Sequence, residues 1–221
     1  MPIASVATYA KRIPFIRETV ESIHNQDSID RVLVMVGSSP DREAAEAICS
    51  GLHVEVVQVE EIGPGKKHLA PLVCDRDDVI VTFDDDMIYP PGHAERLIKL
   101  FEQVGVPCGP LGFRAVFPCR PASFECDFLH GEYGWCYRAS MIPCQEVIEL
   151  GKNPKATAND DVYLGWLVKK NGLHCYAMHG YLIATSGVKV NKGARGAGAL
   201  RETPGAMQRY YDALKETWGI P

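Results

Sequence analysis

Three consecutive aspartates, Asp84, Asp85 and Asp86, directly follow the apolar run Val79–Phe83. Like charges repel strongly where water is partly excluded, so such a group needs a cation or several hydrogen-bond donors nearby. On an extended chain Asp84 and Asp86 point to the same side, about 7 Å apart, and Asp85 points to the other. Carboxylate oxygens are the ligands that Mg²⁺ and Mn²⁺ prefer. The pattern therefore predicts a divalent-cation site, with a solvated acidic turn that caps the next helix as the alternative.

A glycine-rich segment, residues 187–205, contains Lys189, Lys192, Arg195 and Arg201. Glycines in such number predict a mobile segment, and lysine and arginine pair well with phosphate oxygens. We expect the segment either to close over a diphosphate or to form a solvated loop.

The elements that position these residues follow from the apolar periodicity, which alternates between strands and helices in the first half. Strands are predicted at 3–8, 31–36, 53–59 and 79–83, and later near 112–117, 133–138 and 173–177. Helices are predicted around Ile16, Val20 and Ile23, at 41–49 with Asp41 as the cap, after Pro90-Pro91-Gly92, near 142–150, at 160–170 and around 206–218. This alternation is typical of an α/β fold with a mostly parallel central sheet flanked by helices.

The composition is that of a soluble globular protein, with 221 residues, 46% hydrophobic and 23% charged. A net charge of −5 gives no overall attraction to nucleic acid. We predict no transmembrane segment and no secretory signal, hence a cytoplasmic location, that of the host cell if the protein is viral. The eight cysteines include no Cys-x-x-Cys pair, and we expect them to be reduced and mostly buried.

Five short motifs, taken together and in this order, resemble those of nucleotide-sugar glycosyltransferases with the GT-A fold, especially family-2-like enzymes. They are Thr8-Tyr9-x-x-Arg12 with Ile23-His24-Asn25-Gln26, Gly65-Lys66-Lys67-His68-Leu69-Ala70, the Asp-x-Asp element Asp84–Asp86, His130-Gly131-Glu132-Tyr133-Gly134, and Asn159-Asp160-Asp161-Val162-Tyr163-Leu164. The resemblance spans residues 3 to about 180. The short chain is also similar to compact glycosyltransferase domains of large algal viruses. One departure is the absence of acidic residues from Val36–Pro40, where the family often places them near the nucleotide.

The resemblance implies a single GT-A domain, with a nucleotide-sugar-binding half (1–105), an acceptor and catalytic half (106–186), and a basic loop with a C-terminal helix (187–221). It implies transfer of a hexose-type sugar from a nucleoside-diphosphate sugar, first UDP-glucose among UDP-sugars, to a hydroxyl of a glycan or other acceptor, with inversion and with Mn²⁺ or Mg²⁺. Asp161 is favoured as the general base and Asp160 is the second candidate; the alternative for this pair is a helix cap and a first-turn carboxylate. The other implied roles are sugar-donor binding (Thr8, Tyr9, Arg12, Lys66, Asp84, Asp85, Lys189, Arg195), acceptor binding (Gly131, Glu132, Trp135) and metal binding (Asp86, Asp84, His179). For Trp135, core packing is the alternative.

Two other readings compete with the glycosyltransferase. A sugar-nucleotide pyrophosphorylase also needs a metal and a nucleotide site, but the segment Thr8–Arg12 lacks the glycine-rich signature expected after its first strand. A non-catalytic nucleotide- or sugar-binding module would use the aspartates for a structural divalent ion.

Overall fold

A mixed β-sheet with helices on both faces forms the centre of the protein in the computed structural model, which describes residues 1–114, 120–122, 124–153, 160–178, 187–193, 212 and 215. The strands are β1 (Pro2–Ala7), β2 (Arg31–Val36), β3 (Glu55–Gln58), β4 (Val79–Asp84), β5 (Met87–Ile88), β6 (Cys108–Gly109), β7 (Gly112–Arg114), β8 (Arg120–Ala122), β9 (Phe124–Cys126), β10 (Phe128–Leu129), β11 (Cys136–Arg138), β12 (Cys175–Ala177) and β13 (Lys189–Val190). The α-helices are α1 (Ile16–His24), α2 (Ser39–Ile48), α3 (His93–Val104), α4 (Cys144–Gly151) and α5 (Asp160–Lys170). Short 3-10 segments lie at Ile13–Phe15, Gly63–Val73, Gly131–Tyr133 and Ala139–Met141.

The central sheet has eight strands in the order β3-β2-β1-β4-β11-β6-β12-β9. The four strands from β3 to β4 run parallel, β12 runs parallel to β6, and β11 and β9 are antiparallel to their neighbours. The predicted α/β class with a mostly parallel sheet is therefore confirmed.

Alternating side chains of the strands build a core on each face of this sheet. On one face, Ala4 and Val6 of β1 pack with Ile16, Val20 and Ile23 of α1, and with the apolar faces of α2 and α3. On the other, Ile3 packs with the 3-10 segment Gly63–Val73, α4 and α5. Because side chains alternate along a strand while both faces are covered, these strands read as nearly continuous apolar runs.

The order of the strands reverses between β1 and β4, since β2 lies on one side of β1 and β4 on the other. In open α/β sheets, ligands bind outside the carboxyl ends of the strands at such a switch point. The register pairs Ala7 with Asp84, so the residues that follow β1 and β4 emerge side by side. The three aspartates thus lie at the carboxyl ends of the central strands, where a ligand site is expected.

The helix predictions at the site are close to the structure, and α5 has the predicted bounds. The cap predicted for α2 is wrong: Ser38, not Asp41, is the N-cap, and its hydroxyl oxygen accepts a hydrogen bond from the backbone N–H of Asp41 at 3.3 Å. The strand predicted at 133–138 is present only at Cys136–Arg138, because Gly134 adopts a φ of +91° and Gly131–Tyr133 forms a 3-10 turn. The predicted strand near 112–117 is described only to Arg114.

None of the described helices is long and apolar enough to span a membrane. Seven of the eight cysteines lie in the described ranges; all seven are free thiols, and six of them are buried, as expected. Cys119 and the helix predicted around 206–218 lie outside the described residues, apart from Asp212 and Lys215.

Candidate active site

The acidic residues at the end of β4 divide between two cations. Asp84 is the last residue of the strand, and its Oδ1 accepts a hydrogen bond from Lys67 Nζ at 2.6 Å. Asp85 forms an ion pair with Arg12, whose Nη2 also lies 3.6 Å from Asp86 Oδ2. The strand ends at Asp84 and the next two residues turn, so the alternation of side chains that applies to an extended chain stops there.

Arg12 reaches the acidic turn from the chain that follows β1. Its guanidinium lies over the ring of Tyr9, with 5.4 Å between the guanidinium carbon and the ring centroid. Burial alone would lower the pKa of Arg12, but Asp85 and Asp86 raise it. Burial raises the pKa of Asp85 to about 6, against the opposing effect of Arg12. The charge of this turn is therefore only partly compensated.

Lys67 is the centre of the second cluster, and the sequence reasoning did not assign it a role. Its side chain is 4% exposed, and Nζ lies 2.6 Å from Asp84 Oδ1 and 3.6 Å from Asp160 Oδ2. Burial alone would lower the pKa of Lys67, but Asp84, Asp160 and Asp161 raise it, so the ammonium is charged. In turn, although burial opposes it, Lys67 holds the pKa of Asp84 below its ordinary value. The sequence of this 3-10 segment does not distinguish Lys67 from its neighbours Lys66 and His68, which are also polar.

Asp160 and Asp161 begin α5 and face the same ammonium. Asp161 Oδ2 accepts a hydrogen bond from the Gly131 backbone N–H at 2.7 Å, while its Oδ1 is buried without a hydrogen-bond partner among the described residues. Burial raises the pKa of both carboxyl groups, more than the Lys67 ammonium lowers it. Two adjacent, desolvated carboxyl groups with raised pKa values are a common arrangement for acid–base chemistry.

Gly131 leaves room for the Asp161 carboxylate and the Lys67 ammonium because it has no side chain. A Cβ at this position would lie 2.7 Å from Asp161 Oδ1 and 2.9 Å from Lys67 Nζ, both closer than ordinary contacts. The same turn is tied to the acidic strand end by Tyr89, whose hydroxyl donates to Glu132 O at 3.1 Å and accepts from the Asp84 N–H at 2.9 Å. Hydrogen bonds through Tyr89 and Gly131 therefore connect the end of β4, with Asp84, to the carboxylate of Asp161.

The remaining residues with predicted roles lie around this centre at different depths. Trp135 is fully buried, its ring packs edge-on against His68, and its indole also lowers the pKa of Asp161; it has no face open to a sugar in this structure. Lys66 is buried and its Nζ donates to Glu61 Oε1 at 2.6 Å, away from the Lys67 cluster. Thr8 is buried at the end of β1, with its hydroxyl unpartnered among the described residues.

Glu61 places a carboxylate beside the segment Val36–Pro40 after β2, which contains no acidic residue of its own. A Cβ added at Gly37 would collide with the Glu61 side chain, so this carboxylate lies against the segment where the sequence has none of its own. The Gly63 N–H and Lys66 Nζ both donate to Glu61 Oε1. A long-range contact of this kind leaves no trace in the local sequence.

The basic segment is only partly described. Lys189 lies exposed on β13, which pairs antiparallel with β5 immediately after the acidic turn. Lys192 is also exposed. The predicted ligand His179 and the predicted phosphate-binding Arg195 lie outside the described residues, as does Arg201.

The residues of the acidic turn suit a hard divalent cation by chemistry, although no metal centre is preassembled in the described part of the chain. There, no three acidic, histidine or cysteine side chains converge on one point. However, five carboxylates, at positions 84, 85, 86, 160 and 161, gather here beside Lys67 and Arg12, and Asp85 Oδ2 is buried without a hydrogen-bond partner among the described residues. Excess negative charge with unused oxygen acceptors fits an ion that completes its coordination with water and substrate oxygens.

Known folds resemble this one at low sequence identity. A structure of CMP:2-keto-3-deoxy-manno-octonic acid synthetase with CTP aligns with a TM-score of 0.54 and 10% identity, covering 80% of this chain and 88% of that one. A nucleotidyl transferase from Methanothermobacter thermautotroptrophicus aligns with a TM-score of 0.51 and 14% identity, covering 80% and 86%. At such identities the likeness concerns the fold alone. No curated protein has a significant sequence match to the chain.

The sequence itself matches a family model over the region that carries the acidic turn. The model described as glycosyl transferase family 2 covers residues 5–117, which is half of the chain and includes Arg12, Lys67 and all three aspartates. This match confirms the family indicated by the motifs. It favours the glycosyltransferase over the two alternatives, a pyrophosphorylase and a non-catalytic binding module. The chain belongs to glycosyl transferase family 2.

Proposed function

We propose that this glycosyltransferase is a metal-dependent, inverting enzyme that moves a sugar from a nucleoside-diphosphate sugar to an acceptor hydroxyl. The observation that carries the proposal is the approach of Asp160 and Asp161 to the acidic end of β4 across a single buried cation, Lys67. One cluster would bind the sugar donor and the other would remove the proton from the acceptor. Their proximity is what a one-step displacement requires.

Asp161 is the favoured general base. Its Oδ2 is fixed by the Gly131 N–H, which leaves Oδ1 to accept the proton of the attacking hydroxyl. A carboxylate with a raised pKa is a stronger base than an ordinary aspartate, yet it is still ionised at neutral pH in part of the molecules. Asp160 would share charge and proton with it through their common contact with Lys67.

Asp86 and Asp84 are proposed to bind Mn²⁺ or Mg²⁺. A bound divalent ion would stabilise the charge that develops on the nucleoside diphosphate as it leaves. Lys67 pairs with Asp84 and Asp160, and Arg12 with Asp85 and Asp86, so the two cations compensate part of the negative charge around the ion. Lys189, on the strand beside the turn, is available to pair with phosphate oxygens. His179 and Arg195 stay predicted ligands of the ion and the diphosphate.

For the sugar donor we propose a UDP-sugar, with UDP-glucose as the first candidate. Thr8 and Tyr9 follow β1 at the switch point of the sheet, next to Asp84 in the register, where they can contact the nucleotide. For the acceptor site we propose the turn that contains Gly131 and Glu132, because it borders Asp161. The acceptor is a glycan or another hydroxyl compound.

The experiment that tests the base is a comparison of Asp161→Asn with Asp160→Asn. We expect Asp161→Asn to lower kcat by about 10²–10⁴ while it still binds the sugar donor, because only proton removal is lost. Asp160→Asn should retain more activity, because Asp160 changes the pKa of the base but does not itself accept the proton. Full turnover by Asp161→Asn, with Asp160→Asn inactive, would move the role to Asp160.

A further inference from the structure

A short strand near the carboxyl end of the described chain is attached to the acidic turn. Residues of β13 pair with β5, in the register Lys189 with Ile88 and Val190 with Met87. The next residue, Asn191, donates its backbone N–H to Asp86 O at 2.8 Å. The described part of the glycine-rich segment, residues 187–193, therefore contacts the turn that contains Asp85 and Asp86.

The Asn191 side chain extends this attachment into the core. It is 5% exposed, and its Nδ2 donates to Phe15 O at 2.9 Å and to Thr19 Oγ1 at 3.2 Å. Thr19, which is fully buried in α1, donates its hydroxyl to Asp85 O at 3.1 Å. Both donors of the amide are thus used, and one chain of hydrogen bonds runs from Asn191 through Thr19 to the turn.

This network contacts the two backbone carbonyls of the turn from two different elements. Asn191 binds the carbonyl of Asp86, and Thr19 binds the carbonyl of Asp85. These residues lie beyond the end of β4, so the hydrogen bonds of the central sheet do not hold them. Arg12 contacts their carboxylates, whereas Thr19 and Asn191 contact their backbone carbonyls.

We propose that Asn191 is a positioning residue for the sugar-donor site: together with Thr19 it fixes the turn so that the Asp86 carboxylate is oriented for a divalent cation and the diphosphate. This inference rests on the proposed function, and it adds a residue outside the matched family region. Small displacements of a binding group are costly when the ligands must converge on one ion. The contribution of Asn191 should therefore appear as affinity for the metal–nucleotide pair.

The test measures Mn²⁺ binding by the full chain in the presence of UDP, from the loss of the free Mn²⁺ signal in electron paramagnetic resonance. We expect Asn191→Ala to weaken Mn²⁺ binding at least tenfold, with a similar rise in the KM for the sugar donor and a smaller change in kcat. Thr19→Val removes the hydroxyl but keeps the shape, and should give an effect in the same direction. The double variant should lose no more than about the larger single effect, since both belong to one network.

The matched control is Asn171→Ala, which removes an amide that donates to the Leu167 carbonyl at 3.0 Å, at the far end of α5. It should leave Mn²⁺ and UDP binding within twofold of the wild type. Equal affinities of Asn191→Ala, Thr19→Val and wild type would overturn the proposal, as would strictly additive effects. Should Asn191→Ala not fold, Thr19→Val carries the same test. If the wild type itself binds no Mn²⁺ with UDP, the proposed function fails first, and the inference fails with it.

Discussion

Lys67 is the residue on which the arrangement of charges depends. An ammonium that is 4% exposed would be very costly without partners, and it is stable here because it faces Asp84, Asp160 and Asp161. The aspartates could be recognised from the sequence because they are consecutive and end an apolar strand. Lys67 could not, since its partners are far away in the chain and the neighbouring Lys66, of the same type, pairs with Glu61 instead.

Replacing Lys67 by Met should destabilise the protein in a pH-dependent way. Breaking a buried ion cluster costs about 3–5 kcal/mol, because carboxylates are left uncompensated. Without the ammonium, the pKa of Asp84 would no longer be held down, and those of Asp160 and Asp161, which burial already raises, would rise further. The variant therefore loses more stability than the wild type as the pH rises, and recovers it as the carboxylates are protonated. Urea unfolding at about pH 8 and about pH 5 measures this.

Lys66→Met is the control for that experiment, because Lys66 is equally buried but its partner Glu61 has a side chain that is 52% exposed and keeps its water. The loss of stability in Lys66→Met should be smaller than that in Lys67→Met, and it should be the same at low pH as at high pH. Equal losses for Lys67→Met at both pH values would contradict the charge arrangement described.

The pH dependence of transfer should show the raised pKa of the base. Burial raises the pKa of Asp161 more than Lys67 lowers it, and the base must be ionised to accept a proton. We therefore expect kcat/KM to fall on the acid side with an apparent pKa above the ordinary aspartate range, because the protonated carboxyl cannot act. A rate that is constant down to the ordinary range would show that neither Asp160 nor Asp161 is the base.

At the scale of elements, the site depends on two irregular pieces of chain, the acidic turn after β4 and the 3-10 turn Gly131–Tyr133. The regular elements were predictable where they carry their own apolar period, as α1 does with Ile16, Val20 and Ile23. Of the 3-10 turn, only the last residue, Tyr133, lay in a predicted element, the strand near 133–138, and the turn itself was not predicted. The conformation of this turn depends on hydrogen bonds with Asp161 and Tyr89. Both residues are remote in the chain, so the local sequence of the turn does not reveal these contacts.

Gly131→Ala should therefore impair transfer more than its stability cost suggests. The added methyl group would lie 2.7 Å from Asp161 Oδ1 and 2.9 Å from Lys67 Nζ, so one of these charged groups must move. We expect a loss of at least about tenfold in kcat/KM and of about 1–3 kcal/mol in stability.

Gly172→Ala provides the matched glycine control. Gly172 has a φ of +76° at the end of α5, and an added Cβ would meet no atom within 4 Å. This variant should lose about 1 kcal/mol from backbone strain and keep its kcat/KM. If both variants show the same activity, Gly131 does not hold the base.

At the scale of the whole molecule, the topology of the sheet explains why the site lies where it does. The order β3-β2-β1-β4 brings the ends of β1 and β4 together, and α5 approaches them from the face covered by Leu69 and Leu167. The parallel half was predictable from β-α-β alternation. The antiparallel insertion of β11 beside β4 was not, because pairing between distant, short strands has no signature in the sequence.

Thermal unfolding with a panel of UDP-, GDP- and TDP-sugars, each with and without Mn²⁺, tests the central claim most directly. A specific ligand at a hundred times its dissociation constant stabilises the folded protein by about 2.7 kcal/mol, which is readily measured. We predict a Mn²⁺-dependent rise in Tm with the UDP-sugars, absent in Asp86→Ala. If no nucleotide sugar raises the Tm, or if Asp86→Ala responds like the wild type, the acidic turn is not the metal-dependent donor site.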